Sequence, residues 1–137
     1  MRTALDTNVI SALWSGESAA PRLDSALFQA RAEGGLVICA PVYCELLAHP
    51  LATRRFVDSF LHDTGIVVDY LLDERIWQQA ATAFVAYAER RRRSKAGTPK
   101  RLLVDFVIGS HAFISADRLM TLEATRYQSE FPTLRLI

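Results

Sequence analysis

Leu36-Val37-Ile38-Cys39 is a continuous apolar run of strand length, and Ala40-Pro41-Val42-Tyr43-Cys44-Glu45-Leu46-Leu47-Ala48 follows it directly. An uninterrupted apolar run is what a strand buried on both faces of a parallel sheet needs. Pro41 sits where a helix can accept proline, in its first turn, because the missing N–H has no partner there anyway. A helix over Val42–Ala48 is therefore expected, carrying Glu45 and stopped by Pro50. A buried strand that runs straight into a helix is half of a parallel crossover unit.

The same alternation extends in both directions. Upstream, Arg2-Thr3-Ala4-Leu5 reads as a short buried strand ending at Asp6. Thr7 and Asn8 can cap a short helix through Val9, Ile10, Ala12, Leu13 and Trp14. A second helix is expected over Pro21–Ala32, with Leu23, Leu27, Phe28 and Ala30 as its apolar face and Gly34-Gly35 as its end. Downstream, a helix over Thr53–His62 leads through Gly65 to the β-branched strand Ile66-Val67-Val68. A long helix over Asp73–Arg91 would turn Ile76, Ala80, Ala83, Phe84 and Tyr87 inward. A loop around Gly97 and Pro99, a helix over Leu103–Ile114, a strand at Leu119–Thr121, a helical turn over Glu123–Gln128 and a last strand at Leu134–Leu136 complete the chain. Strands alternating with helices predict an α/β sandwich, a parallel sheet covered on both faces.

Composition narrows the class. The 137 residues suit one compact domain over 1–137, and half of them are hydrophobic with about a quarter charged, so neither a disordered nor a fibrous chain is expected. Cys39 and Cys44 are the only cysteines and lie in an apolar stretch, so both are expected as reduced, buried thiols. Without His or further Cys at short spacing, a zinc site is excluded. No targeting segment or membrane span is apparent, and a cytoplasmic protein is expected.

The net charge of +1 hides an uneven distribution. Arg90, Arg91, Arg92, Arg93, Lys95, Lys100 and Arg101 supply seven of the sixteen Lys and Arg residues, with no acid among them. The other nine face fifteen acids, so the remainder is net acidic. A basic block beside an acidic body can hold a polyanion near an acid-lined site, which makes these seven cations candidate contacts to RNA phosphates. A solvated helix end would also tolerate them.

Four acids stand in apolar surroundings: Asp6, Glu45, Asp105 and Glu123. Asp6 ends the first expected strand, Glu45 lies about a turn into the helix after the second, and Glu123 lies just past the fourth. The carboxyl ends of parallel strands are where ligand sites form. Asp105 shares a helix face with Ile108, Gly109 and Ala112, a face that reads as buried. Gly109 costs helix stability, which suggests the close approach of another backbone. Carboxylates gathered in one pocket repel each other unless a cation joins them, and an all-oxygen set suits Mg²⁺ or Mn²⁺. Such a cation can activate water for in-line attack on a phosphodiester and stabilise the departing oxygen. Thr7, Asn8 and Thr121 are candidate supporting residues, able to orient these acids. His111, six residues past Asp105, is expected to be structural, and Trp14 and Trp77 to be core or interface.

These residues resemble the PIN-domain family, and within it the VapC-like toxins. Leu5-Asp6-Thr7-Asn8-Val9 is similar to the first motif, and Glu45 matches the helix-borne Glu. Asp105-Phe106-Val107-Ile108-Gly109-Ser110-His111-Ala112 resembles the third motif, and Leu119-Met120-Thr121-Leu122-Glu123-Ala124-Thr125-Arg126-Tyr127, then Phe131-Pro132, the family ending. The resemblance covers essentially the whole chain, in the family's order. It implies a three-layer α/β/α sandwich around a mostly parallel sheet of four to five strands. It further implies Mg²⁺- or Mn²⁺-dependent endoribonuclease action on tRNA, rRNA or mRNA, a cognate VapB-like antitoxin, and a homodimer. The departures are Glu123 where Asp is usual, with Asp117 as a rival nearby, and Leu122 where Arg is frequent. The Glu123 departure leaves room for a PIN-fold RNA-binding domain of weak catalysis. A receiver or Asp-x-Asp phosphatase is disfavoured, because Asn8 stands where such a phosphatase needs its second Asp.

Overall fold

The computed structural model describes residues 1–95, 97 and 100–137; Ala96, Thr98 and Pro99, part of the expected loop, lie outside the described residues. Four strands, β1 (Thr3–Leu5), β2 (Leu36–Cys39), β3 (Ile66–Asp69) and β4 (Arg118–Met120), alternate with helices. The helices are α1 (Thr7–Trp14), α2 (Ala20–Gly34), α3 (Ala40–Leu47), α4 (Arg54–Thr64), α5 (Glu74–Arg93), α6 (Leu103–Ser115) and α7 (Ala124–Gln128). All strand pairs are parallel, in the order β3-β2-β1-β4. The α/β architecture expected from the alternation is what forms.

The order has a direct consequence. From β1 the chain steps to β2 and β3 in one direction, then returns across the sheet to place β4 on the free side of β1. Parallel crossovers are right-handed, so a reversal of direction moves the connecting helices to the other face. The connections through α1–α4 thus cover one face, and α5 and α6 the other. Between β1 and β4, where the direction reverses, a crevice opens beyond the carboxyl ends of the strands. Asp6 follows β1 at this point, and Thr121 follows β4.

The core runs through the sheet. All residues of β1, β2 and β4 are buried, joined by Val9, Ile10, Leu46, Val57, Phe106, Ala112, Tyr127 and Phe131. On α5, Ile76, Ala80 and Ala83 are buried as the stripe predicts, and Phe84 stacks edge-on against Phe106 at 5.2 Å. Gly65 caps α4 in the left-handed conformation, φ 71°, open to glycine without strain.

Several local expectations need correction. The last strand reduces to a single bridge between Leu119 and Leu136. Its backbone still bonds β4 through Leu119 N to Arg135 O, Ile137 N to Leu119 O and Thr121 N to Ile137 O. A turn closed by Leu134 N to Phe131 O at 3.0 Å precedes the segment, so alignment with β4 begins only at Arg135. Gly109 is approached by a ring and not by backbone: a Cβ there would stand 2.3 Å from Phe131 Cε2. Cys39 is buried, and burial pushes its thiol up to about 12, but Cys44 is exposed because α3 turns it away from the sheet. Trp14 is half-buried against His49, Phe56 and Phe60, whereas Trp77 is largely exposed.

Candidate functional site

Asp6 is at the N-cap position of α1, yet its side chain does not cap the helix. It is 3% exposed and is held instead by three side chains, one from α1 and two from the far end of the chain. Thr121 Oγ1 donates to Asp6 Oδ2 at 2.8 Å, Tyr127 Oη at 2.9 Å and Asn8 Nδ2 at 3.0 Å. All three land on the same oxygen, so Oδ1 carries no side-chain hydrogen bond among the described residues. Burial raises the Asp6 pKa, opposed by the hydrogen bonds from Thr121 and Tyr127. Burial also drives the Tyr127 hydroxyl far above its ordinary value, with Asp6 adding to the shift, so it remains a proton donor.

The supporting residues knit the first and last motifs together. Asn8 Oδ1 accepts the Leu122 N–H at 3.1 Å, and Thr121 Oγ1 accepts the Glu123 N–H at 3.0 Å. Thr7 Oγ1 donates to Glu45 Oε1 at 3.1 Å, tying the helix after β1 to the helix after β2. Glu45 sits on the accessible rim; partial burial raises its pKa first, and the charges of Asp6 and Asp105 raise it further. That mutual effect places the three carboxylates in one electrostatic pocket.

Asp105 opens α6 in its first turn, with its side chain only 14% exposed. Arg126 Nη1 donates to its Oδ1 at 3.3 Å, and Arg126 Nη2 pairs closely with Glu123 Oε2. One guanidinium therefore bridges the third and fourth acids. Asp117 is not part of this group. Its Oδ2 accepts the Arg2 N–H at 2.6 Å, at the end of the sheet where β1 and β4 begin.

Arg126 and Tyr127 are the residues that sequence reasoning missed. The three-residue spacing of Glu123 and Arg126 was the available signal for the ion pair. Nothing local marks Tyr127 as a partner of Asp6, 121 residues away.

The basic block is less uniform than its sequence. Arg90 and Arg101 converge on Glu130, whose side chain is 1% exposed; Arg101 reaches it at 2.8 Å, and Arg90 also pairs with it closely. Arg101 also lies over the Phe106 ring at 4.7 Å. Arg92, Lys95 and Lys100 are exposed, and Arg93 makes a loose pair with Glu89 at 3.9 Å. His111 is buried and bonds Asp69 at 2.8 Å, outside the acid pocket. A separate surface cavity of about 440 Å³ lies among Leu13, Leu27, Phe28 and Phe60 and contains none of the four acids.

Among the described residues, no three His, Cys, Asp or Glu side chains stand close enough to chelate a cation as they are. The donor chemistry nevertheless fits a hard divalent ion: oxygen ligands only, coupled charges and no sulfur or imidazole. Magnesium keeps several of its waters, which can span wider carboxylate separations.

A family model for the PIN domain matches residues 3–125. The chain belongs to the PIN domain family. The chain superposes over its full length on 97% of a chain in the structure of VapBC-1 from nontypeable Haemophilus influenzae, with a TM-score of 0.65 and 19% identity. It likewise covers 98% of a chain in the structure of VapBC2 from Rickettsia felis bound to a DNA fragment from their promoter, with a TM-score of 0.59 and 17% identity. At these identities the likeness is one of fold. No curated protein sequence matches significantly. Among the described residues, no helix is long and apolar enough to cross a membrane.

Proposed function

We propose that this PIN protein is a Mg²⁺- or Mn²⁺-dependent endoribonuclease, the toxin of a VapBC-like toxin–antitoxin module. It would work in the cytoplasm as a single domain over 1–137, as a homodimer, under the control of a cognate VapB-like antitoxin. The observation that carries the reading is Asp6. A buried carboxylate is fixed by three donors on one oxygen, at the topological switch point, in electrostatic contact with Glu45 and, through it, Asp105. Its Oδ2 takes all three side-chain donors, each of them neutral, which leaves Oδ1 without a side-chain hydrogen bond among the described residues. The full-length fold shared with chains of two VapBC structures supports the toxin assignment.

In this reading Asp6, Glu45, Asp105 and Glu123 hold the cation, directly or through water. The bound ion supplies Lewis-acid activation of water and stabilises charge building on the phosphodiester. Asn8, Thr121 and Tyr127 keep Asp6 in one orientation, and Thr7 does the same for Glu45. The exposed cations Arg92, Lys95 and Lys100 track the RNA backbone, which positions the strand without reading its sequence. A second reading, a PIN-fold RNA-binding domain of weak catalysis, draws on Arg126, which occupies both Asp105 and Glu123.

The test is cleavage of a labelled tRNA pool with Mg²⁺, Mn²⁺ or EDTA, beside Asp105→Asn. Discrete cuts that need metal and fall at least about 100-fold in the variant are expected. Metal-dependent cutting that survives in Asp105→Asn would refute the site. RNA binding without cutting by the wild-type protein would favour the second reading.

A further inference from the structure

The acid pocket contains its own cation. Asp105 and Glu123 are joined by the Arg126 guanidinium, each through a different nitrogen. Its charge also reaches Asp6 and Glu45, offsetting a small part of the rise that burial gives both. Arg126 therefore touches electrostatically all four acids that the proposed function assigns to the metal. It is the side chain that lies between two of them.

Arg126 is also placed to leave. Its side chain is 34% exposed, and that of Glu123 is 46% exposed, so both face solvent at the pocket mouth. A guanidinium contributes one positive charge to the acids, and a divalent ion contributes two. An entering ion would outcompete it at the carboxylates and release a solvent-facing arginine beside the position of the phosphodiester. A planar guanidinium matches phosphate oxygens as well as it matches carboxylates. Lys100, which is exposed, precedes α6, and the backbone N–H groups of Lys100 and Arg101 donate to Tyr87 Oη at 3.3 Å, fixing this segment at the start of the helix that carries Asp105.

We propose that Arg126 is a built-in competitor for the divalent cation, bridging Asp105 and Glu123 until the metal enters and then contacting the RNA backbone. The inference rests on the acids being the metal site. It makes metal and RNA binding cooperative, since each frees or uses the same side chain. It also gives the apo pocket a satisfied resting state in place of bare mutual repulsion.

The test is calorimetric titration of Mn²⁺ into the wild-type protein, Arg126→Gln and Arg126→Lys, with thermal melts to confirm folding. A parallel measurement follows anisotropy of an RNA whose 2′-oxygens are blocked, with Mn²⁺ and with EDTA. Arg126→Gln is expected to bind Mn²⁺ about tenfold more tightly, because the self-occupied fraction of the pocket no longer taxes the ion. Arg126→Lys should fall between, as a point charge cannot bridge two carboxylates. RNA affinity should drop in Arg126→Gln with Mn²⁺ present and stay unchanged in EDTA. Equal or weaker Mn²⁺ binding by folded Arg126→Gln overturns the competitor role while leaving the nuclease reading intact. Absence of Mn²⁺ binding by all three proteins overturns both.

Discussion

At the edge of the sheet where β1 and β4 begin, Asp117 accepts the Arg2 N–H, and Glu33 pairs with Arg118, whose Nε also donates to Thr3. At the edge where the same strands end, Arg126 pairs with both Asp105 and Glu123, while Asp6 and Glu45 take neutral donors. The first edge answers each acid with a donor of its own. The second concentrates four acids around a single arginine and leaves two of them to neutral donors alone. The contrast separates carboxylates that hold the fold together from carboxylates the fold must hold in place. Glu130, with Arg90 and Arg101, and Asp69, with His111 and Arg2, belong to the first kind although neither lies at that edge.

Removing a charge should therefore change stability in opposite directions at the two kinds of site. The largest effect is expected at Glu130. Its side chain is almost fully buried between two arginines, and Glu130→Gln would leave Arg101 half-committed over Phe106. A loss of about 2 kcal/mol is expected by denaturant unfolding, below the ~3–5 of a fully buried pair because Arg90 can reach water. A neutral result would remove Glu130 from the structural class.

Asp69→Asn should cost less, about 1 kcal/mol at pH 7, since an amide oxygen can still accept from His111. Its mark is in the pH dependence. Burial lowers the His111 pKa, and the Asp69 hydrogen bond and charge partly offset this. The unfolded chain then takes up the proton first, so stability declines as pH drops below about 6.5, the ordinary histidine value. Without the Asp69 carboxylate the folded pKa falls further, and the decline between pH 6.5 and 5 should steepen in thermal melts. An unchanged acid limb would show that Asp69 does not support His111.

The smallest effect, and the one of opposite sign, is expected at Asp6. Burial raises its pKa, so across the window just above the ordinary carboxylate value the folded state binds more protons than the unfolded. Wild-type stability therefore falls as pH rises through that window. Asp6→Asn does not titrate, so its melting temperature should gain on the wild type from pH 4 to pH 8. The gain is held under about 1 kcal/mol because the Asn8 amide loses its acceptor charge. Cleavage should be lost in the same variant. A variant less stable at pH 8 than at pH 4, relative to wild type, would move Asp6 into the structural class.

Much of this was legible in the chain. Leu36–Cys39 is read as a strand because four consecutive apolar residues have strand length and Pro41 opens a helix just after them, and the structure forms the strand with those bounds. Asp105 stood out because an acid on an apolar helix face needs a reason, and Ile76, Ala80 and Ala83 of α5 are buried as its periodicity required. The limits of the reading are equally specific. Asp117 and Glu123 were rivals in sequence, and the direction of β4 separates them, since one residue precedes the strand and the other follows it. Arg101 read as one of seven equivalent cations, and only its approach to Phe106 and Glu130 distinguishes it.

Sequence alone determined the alternation of strands and helices, the acids' places along it and the basic segment, because periodicity and charge are local properties that need no partner. Tertiary structure alone decided that Asn8, Thr121 and Tyr127 meet on one oxygen of Asp6, that Phe131 fills the space above Gly109, and that Arg126 lies between Asp105 and Glu123. Those meetings depend on the strand order β3-β2-β1-β4, which brings the first and last motifs side by side across more than a hundred residues. No local pattern encodes the distance between two side chains on strands that become neighbours only when the sheet closes its order.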